Sequence, residues 1–236
     1  MTKYEGMFKM ATVAAPQPQT IEPDQVILPE VSWETYCRLR DAEGNDSIRM
    51  IYLDGSLTLM APAFEHEGPN QLLGQLVRAV MTVMGLEMRG IGSVTLRRQI
   101  QPDKGVGKEP DVAFYLGEDE LRIRGRRKLD LDIDPPPTLA IEVDHTRNST
   151  PALTVYARLG VREVWRFSVP KQSVWIGCLD GQTYRGVDRS VVLPRLTPTL
   201  ILEALDRFEV GDLGELGWFE WVKAWTQALP EPEAAP

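Results

Sequence analysis

The chain has 236 residues, which suits one large domain, and its 43% hydrophobic content is enough for a real core. A formal charge of −8 argues against a protein whose main task is to coat nucleic acid. It leaves a nuclease open, because acids that hold a metal lower the net charge in the same way. The apolar runs are too short to cross a bilayer, no charged-then-apolar secretory segment opens the chain, and Cys37 and Cys178 match no metal or redox spacing. The expectation is a cytoplasmic protein, outside the membrane, with reduced cysteines and no organic cofactor.

Residues 1–28 mix Pro16, Pro18 and Pro23 with small polar residues and predict a flexible arm. Residues 29–228 show no composition break or repeat and read as one domain, and residues 229–236 as a frayed tail. Ser32 is placed to cap a helix from Trp33 to about Arg40. Ile48–Leu53 and Ser56–Met60 flank Asp54-Gly55, a two-residue hairpin turn. A second helix follows Glu65-His66-Glu67, with Leu72, Leu73, Leu76, Val77, Val80, Met81 and Met84 at helical period and Gly85 at its end. Val94–Ile100, Asp111–Leu116 and Thr138–Asp144 read as strands, with Gly105-Val106-Gly107 as a flexible loop. Leu139-Ala140-Ile141 is apolar on consecutive residues, as in a central strand buried on both faces. Thr150-Pro151 starts a helix that Gly160 stops. Glu163–Ser168 and Ser173–Leu179 are strands, and Asp180-Gly181 turns the second into Gln182–Val187. Trp218, Trp221 and Trp225 recur at helical spacing, as on a helix docked on the core or on a partner chain. This order predicts an α/β (α+β) fold with a mixed sheet flanked by helices, and no dinucleotide-binding or phosphate-binding glycine motif is present.

Acids on predicted strands are the most informative chemistry. Glu142 and Asp144 point to one face of their strand, and Asp111 opens another. If the two strands pair, Asp111 and Glu142 approach each other at a sheet edge. Like charges so close persist only with a cation or bound protons, and an all-oxygen ligand set suits Mg²⁺ or Mn²⁺. Such an ion polarises a phosphate and lowers the pKa of an attacking water. Spacing alone favours the plainer reading, solvated acids at strand ends.

Glu109-Pro110-Asp111, the acidic stretch Leu129–Asp134 with Pro135-Pro136-Pro137, Ala140-Ile141-Glu142-Val143-Asp144 and Tyr156-Ala157-Arg158-Leu159-Gly160-Val161-Arg162-Glu163-Val164-Trp165-Arg166 occur in that order. With Ser32–Tyr36 and Glu65-His66-Glu67, this series resembles the Uma-two family of restriction endonucleases, of the PD-(D/E)XK nuclease superfamily, over roughly residues 30–205. The resemblance implies a restriction-endonuclease-like core, often dimeric, hence a homodimer that cleaves DNA. It implies Asp111 and Glu142 as metal ligands, the Val143 carbonyl as a further ligand, and Glu65 or Glu67 as a third acid. The lysine of E-x-K would stand where this chain has Asp144, and the alternative position in the following helix holds Ala152. Lys108, Arg97, Arg98 or Arg158 could supply the missing cation.

Arg122, Arg124, Arg126, Arg127 and Lys128 form a basic cluster that reads either as phosphate contacts or as a solvated hairpin edge. Arg97-Arg98 is the alternative DNA-contacting pair. His66 and His145 are the only histidines, and neither suits a hard ion as well as oxygen does. The expected function is a Mg²⁺- or Mn²⁺-dependent endonuclease. The rival is a nuclease fold that binds nucleic acid or a protein partner without cleaving.

Overall fold

A computed structural model describes residues 25–60, 67–92, 94–127, 129–144, 150–210 and 213–230. Helix α1 (Trp33–Asp41) starts where Ser32 Oγ accepts the Thr35 N–H at 3.2 Å, the cap its sequence position predicts. Strands β2 (Arg49–Leu53) and β3 (Ser56–Met60) form the expected hairpin. Its turn residues Asp54 and Gly55 both have positive φ, the backbone a right-twisted two-residue turn needs. Helix α2 (Glu67–Met84) ends at Gly85 in the left-handed region.

Two sheets form where the sequence suggests one. A five-stranded antiparallel sheet runs β1-β3-β2-β6-β5, where β1 is Gln25–Leu28, β5 is Leu96–Gln101 and β6 is Lys104–Lys108. A six-stranded mixed sheet runs β11-β10-β9-β8-β7-β4. Here β4 is Met88–Gly90, β7 is Val112–Leu116, β8 is Leu139–Asp144, β9 is Glu163–Ser168, β10 is Ser173–Asp180 and β11 is Thr183–Val187. Among the described strands only the β8–β9 pair is parallel, and the connection carries helix α4 (Thr150–Leu159), as a parallel crossover requires.

Two local readings change. Gln25–Leu28, placed in the arm by composition, pairs with β3 along its whole length. Gly105-Val106-Gly107 is the buried middle of β6 and not a flexible loop. A Cβ at Gly105 would press on the Trp33 ring, and one at Gly107 would overlap the Tyr36 hydroxyl. These glycines let two α1 aromatics lie directly on the sheet, a close approach that mimics the composition of a loop. Tyr36 in turn stacks on Tyr52 with ring centroids 4.7 Å apart.

The layers follow from the apolar faces. Helix α1 covers one face of the five-stranded sheet, its Tyr36 packing with Met50 and Tyr52 of β2 and Leu57 of β3. Helix α4 lies between the sheets, its Ala152, Val155, Tyr156 and Leu159 packing with Ile51, Leu96 and Val106 on one side and Ala140 and Val164 on the other. The far face of the six-stranded sheet carries the largest core, closed by α2, α5 (Pro198–Val210) and α6 (Glu215–Ala228). Trp218 is fully buried there and donates Nε1–H to the Ala204 carbonyl at 2.7 Å, so the tryptophan face of α6 docks on the core. Strand β8 is the expected central strand, buried on both faces. The described part of the basic segment forms a short helix, α3 (Glu118–Ile123), and a turn, not a hairpin edge.

Candidate active site

The chain passes from one sheet to the other through Glu109-Pro110. Lys108 is the last residue of β6, and Asp111 directly precedes β7. Glu109 anchors this passage: its carboxylate accepts the Met50 N–H and the Thr95 hydroxyl, each at 2.9 Å, and pairs with Arg40 at 3.5 Å. Four consecutive residues therefore deliver a cation from one sheet and a carboxylate to the other.

Val112 pairs with Ile141, so Asp111 stands across from Glu142 at the ends of two interior strands, not at a sheet edge. Asp111 Oδ2 accepts the Val143 N–H at 2.9 Å, and Oδ1 lies 3.8 Å from Arg49 Nη2. Glu142 is buried. Its Oε1 accepts the Tyr156 hydroxyl from α4, and its Oε2 lies 3.0 Å from Lys108 Nζ. Lys108 Nζ also donates to the Glu109 carbonyl at 3.1 Å and sits 5.8 Å from the Tyr156 ring centre.

Burial opposes the charge on both Lys108 and Glu142, with opposite outcomes. For Lys108, burial pushes the ammonium down, but Glu142, Asp111 and Glu109 together outweigh it and the net shift is upward. For Glu142, burial is the largest influence, and with the push from Asp111 it exceeds what Lys108 and Tyr156 offset. The carboxyl is pushed up to about 7. Tyr156 is held well above the ordinary phenol range by burial and by Glu142, so it remains a donor. The site thus holds a fixed ammonium, a fixed phenol and a carboxylate poised near neutrality.

Other expected cations lie elsewhere. Arg97 points to the α1 face and forms a two-pronged pair with Asp41 at 2.9 and 3.0 Å. Arg98 donates to the carbonyls of Leu131 and Leu159. Arg158 pairs with Asp54. Lys108 alone of the four candidates contacts Glu142. Arg126 pairs with Asp134 at 3.1 Å, Arg124 with Glu120 and Glu87, and Arg127 is exposed. Asp144 shares the Glu142 face but is held by Arg166 at 2.9 and 2.6 Å. Glu65, His66, Lys128 and His145 lie outside the described residues, as does the Glu67 side chain.

Sequence reading missed Tyr156, Arg49, Glu109 and Arg166 as parts of the site. Tyr156 falls on the apolar face of α4 and reads as core. The one visible signal was Lys108 three residues before Asp111.

The model of the family Uma2, described as "Putative restriction endonuclease", matches residues 33–210. The chain belongs to the Uma2 family. That match spans Arg49 in β2, the Lys108–Asp111 passage, β8, α4 and Arg166 in β9, which together form the site described above. A crystal structure titled as a putative nuclease belonging to DUF820, from Anabaena variabilis ATCC 29413, is similar at 15% identity with a TM-score of 0.45, covering 81% of this chain and 99% of that one. Comparison with curated proteins gives no match.

The donor set of this Uma2 chain has the chemistry of a hard-metal site. Asp111 and Glu142 are hard oxygen ligands on adjoining strand ends, and the Val143 peptide is already drawn to Asp111. That chemistry fits a divalent cation such as Mg²⁺ or Mn²⁺. Among the described residues no group of three or more His, Cys, Asp or Glu side chains forms a metal cluster. No described helix is long and apolar enough to cross a membrane.

Proposed function

We propose that this Uma2 protein is a cytoplasmic, homodimeric endonuclease that hydrolyses DNA phosphodiester bonds with Mg²⁺ or Mn²⁺ held by Asp111, Glu142 and the Val143 carbonyl. The observation that carries the reading is Lys108 Nζ, 3.0 Å from Glu142, in a chain that lacks a lysine at Asp144 and Ala152. The bound ion would supply Lewis-acid polarisation of the phosphate and activation of water. The protein's own groups do the rest. Lys108 orients the attacking water or neutralises charge that builds on the phosphorus centre. Tyr156 and Lys108 fix the Glu142 carboxylate, and the Val143 N–H fixes Asp111. Arg49, which also donates to the Pro110 carbonyl at 3.3 Å, braces the passage that carries Asp111.

Nicking of supercoiled plasmid with Mn²⁺ tests the reading. Wild type should nick, and Asp111→Asn and Glu142→Gln, which preserve shape, should fall to background. Activity unaffected by both substitutions would remove this site from the chemistry. A wild type that binds Mn²⁺ through Glu142 but does not nick DNA would favour a silent nuclease fold, in which Lys108 and Tyr156 keep Glu142 as a structural group.

Binding of the ion should also depend on pH with a defined sign. The Glu142 carboxyl is raised to about 7, so below that pH a proton must leave before a cation is held. Mn²⁺ affinity measured by calorimetry should rise about tenfold per pH unit below 7 and level off above it. Affinity that is flat from pH 5.5 to 8 would show that Glu142 is not a ligand.

A further inference from the structure

Beside the acidic pair, the same face of the six-stranded sheet carries a second feature that the proposed chemistry does not use. Glu142 pairs in register with Arg166, and Arg166 with Trp175. Side chains of registered partners share a face, so a row runs Asp111–Glu142–Arg166–Trp175 across four strands. Strand spacing puts Trp175 about 10 Å from Glu142. The next row continues Asp144–Ser168–Ser173. Arg166, Trp175, Asp144, Ser168 and Ser173, with Lys171 from the β9–β10 turn, line an open pocket of about 530 Å³ beside the acidic pair.

The pocket is built around the indole. A Cβ at Gly177 would overlap the six-membered ring of Trp175, and one at Gly186 would crowd its Nε1. The ring therefore lies over the backbone of β10 and β11 at two glycines, one face against them, while Trp175 also lines the pocket. Any larger residue at either position would lift it off. Arg166 uses Nε and Nη2 on Asp144, which holds its guanidinium in place while cancelling one charge. Exposed Lys171 then leaves the lining with a net charge of +1 (Arg166 and Lys171 against Asp144). A supported aromatic face, a fixed guanidinium, a free ammonium and two hydroxyls are complementary to a nucleotide: a flat base and an anionic phosphate.

We propose that this pocket takes an unpaired nucleotide of the DNA strand, next to the phosphate held at Asp111 and Glu142, with its base stacked on Trp175 and its phosphate at Arg166 and Lys171. The proposal rests on the nuclease reading and narrows its substrate. A base can lie on Trp175 only if it has left its own stack, so the site favours single-stranded or locally opened DNA over intact duplex.

The test is fluorescence anisotropy of labelled oligothymidine and of a blunt duplex of equal length, with Ca²⁺ in place of Mg²⁺. Wild type should bind oligothymidine more tightly than duplex. Trp175→Ala should weaken oligothymidine binding about tenfold, the loss expected for one stacked base, while Trp175→Phe keeps most of it. Lys171→Glu, on an exposed turn that cannot threaten folding, should weaken binding and flatten its salt dependence. Wild-type affinity in Trp175→Ala, equal losses in the Ala and Phe variants, or no effect of Lys171→Glu would each overturn the assignment. Trp175-dependent binding without plasmid nicking would leave this pocket standing and remove the nuclease. Nicking that depends on Asp111 but not on Trp175 or Lys171 would do the reverse.

Discussion

Lys108→Met should reduce plasmid nicking by about a hundred- to a thousandfold, the usual loss when one preorganised charge-stabilising group is removed. Methionine matches the length and apolar stem of lysine, so the buried position stays filled. Two effects then separate by pH. Without the ammonium, burial and Asp111 act on Glu142 with only Tyr156 opposing, so its carboxyl moves above the value of about 7 it has beside Lys108. Metal binding at neutral pH should weaken and return as pH rises. If nicking recovers fully along with metal binding, Lys108 serves only to keep Glu142 ionised. If metal binding recovers and nicking does not, Lys108 acts on the reacting phosphate or water. Wild-type nicking by Lys108→Met at pH 7 would exclude both roles. Lys108→Arg should not rescue activity, because a wide planar guanidinium does not reproduce the contacts of an ammonium buried between Glu142, the Glu109 carbonyl and the Tyr156 ring.

Glu163→Ala should cost about 4 kcal/mol of stability while leaving the chemistry of the site untouched in whatever fraction stays folded. Glu163 opens β9 and has no exposed surface. Its carboxylate accepts Trp165 Nε1–H, the Ser190 hydroxyl and the Val191 N–H, each at 2.6 Å, and the Val192 N–H at 3.3 Å. One side chain thus ties the segment after β11 to the centre of the six-stranded sheet. Alanine leaves all four donors without their acceptor, the Trp165 and Ser190 groups in buried positions, and a buried unpaired donor costs far more than a hydrogen bond gains. Urea unfolding monitored by tryptophan fluorescence measures the loss. A change under about 1 kcal/mol would mean that water replaces the carboxylate, and that the segment is not held as described.

These two residues also mark where sequence reading succeeds and where it stops. Local signals worked wherever the cause was local. Ser32 caps α1, Asp54-Gly55 turns the first hairpin, and Gly85 and Gly160 end their helices in the left-handed region. Each depends on the dihedral preference or hydrogen bond of a few neighbouring residues. Gly105-Val106-Gly107 failed for the opposite reason. Its glycines answer to Trp33 and Tyr36, some seventy residues earlier, and nothing within the segment reports that contact. Glu163 likewise reads as one more strand residue, because its four partners come from β9 itself and from a distant loop.

The acidic pair behaves the same way. The order of motifs determined the family, the mixed α/β class, and Asp111 and Glu142 as the acids worth watching. It also left the cation open among Lys108, Arg97, Arg98 and Arg158. Only the tertiary structure decided among them, because the choice turns on which face of which sheet each side chain leaves. Arg97 and Lys108 lie on the same five-stranded sheet, yet alternation sends Arg97 to α1 and Lys108 to Glu142. The passage at Glu109-Pro110 then carries the chain to the second sheet, which sets Lys108 and Asp111 at either side of one buried carboxylate. Spacing along a chain fixes how residues alternate within a strand. How two sheets face each other across α4 depends on the burial of both apolar faces at once, and that is a property of the folded molecule alone.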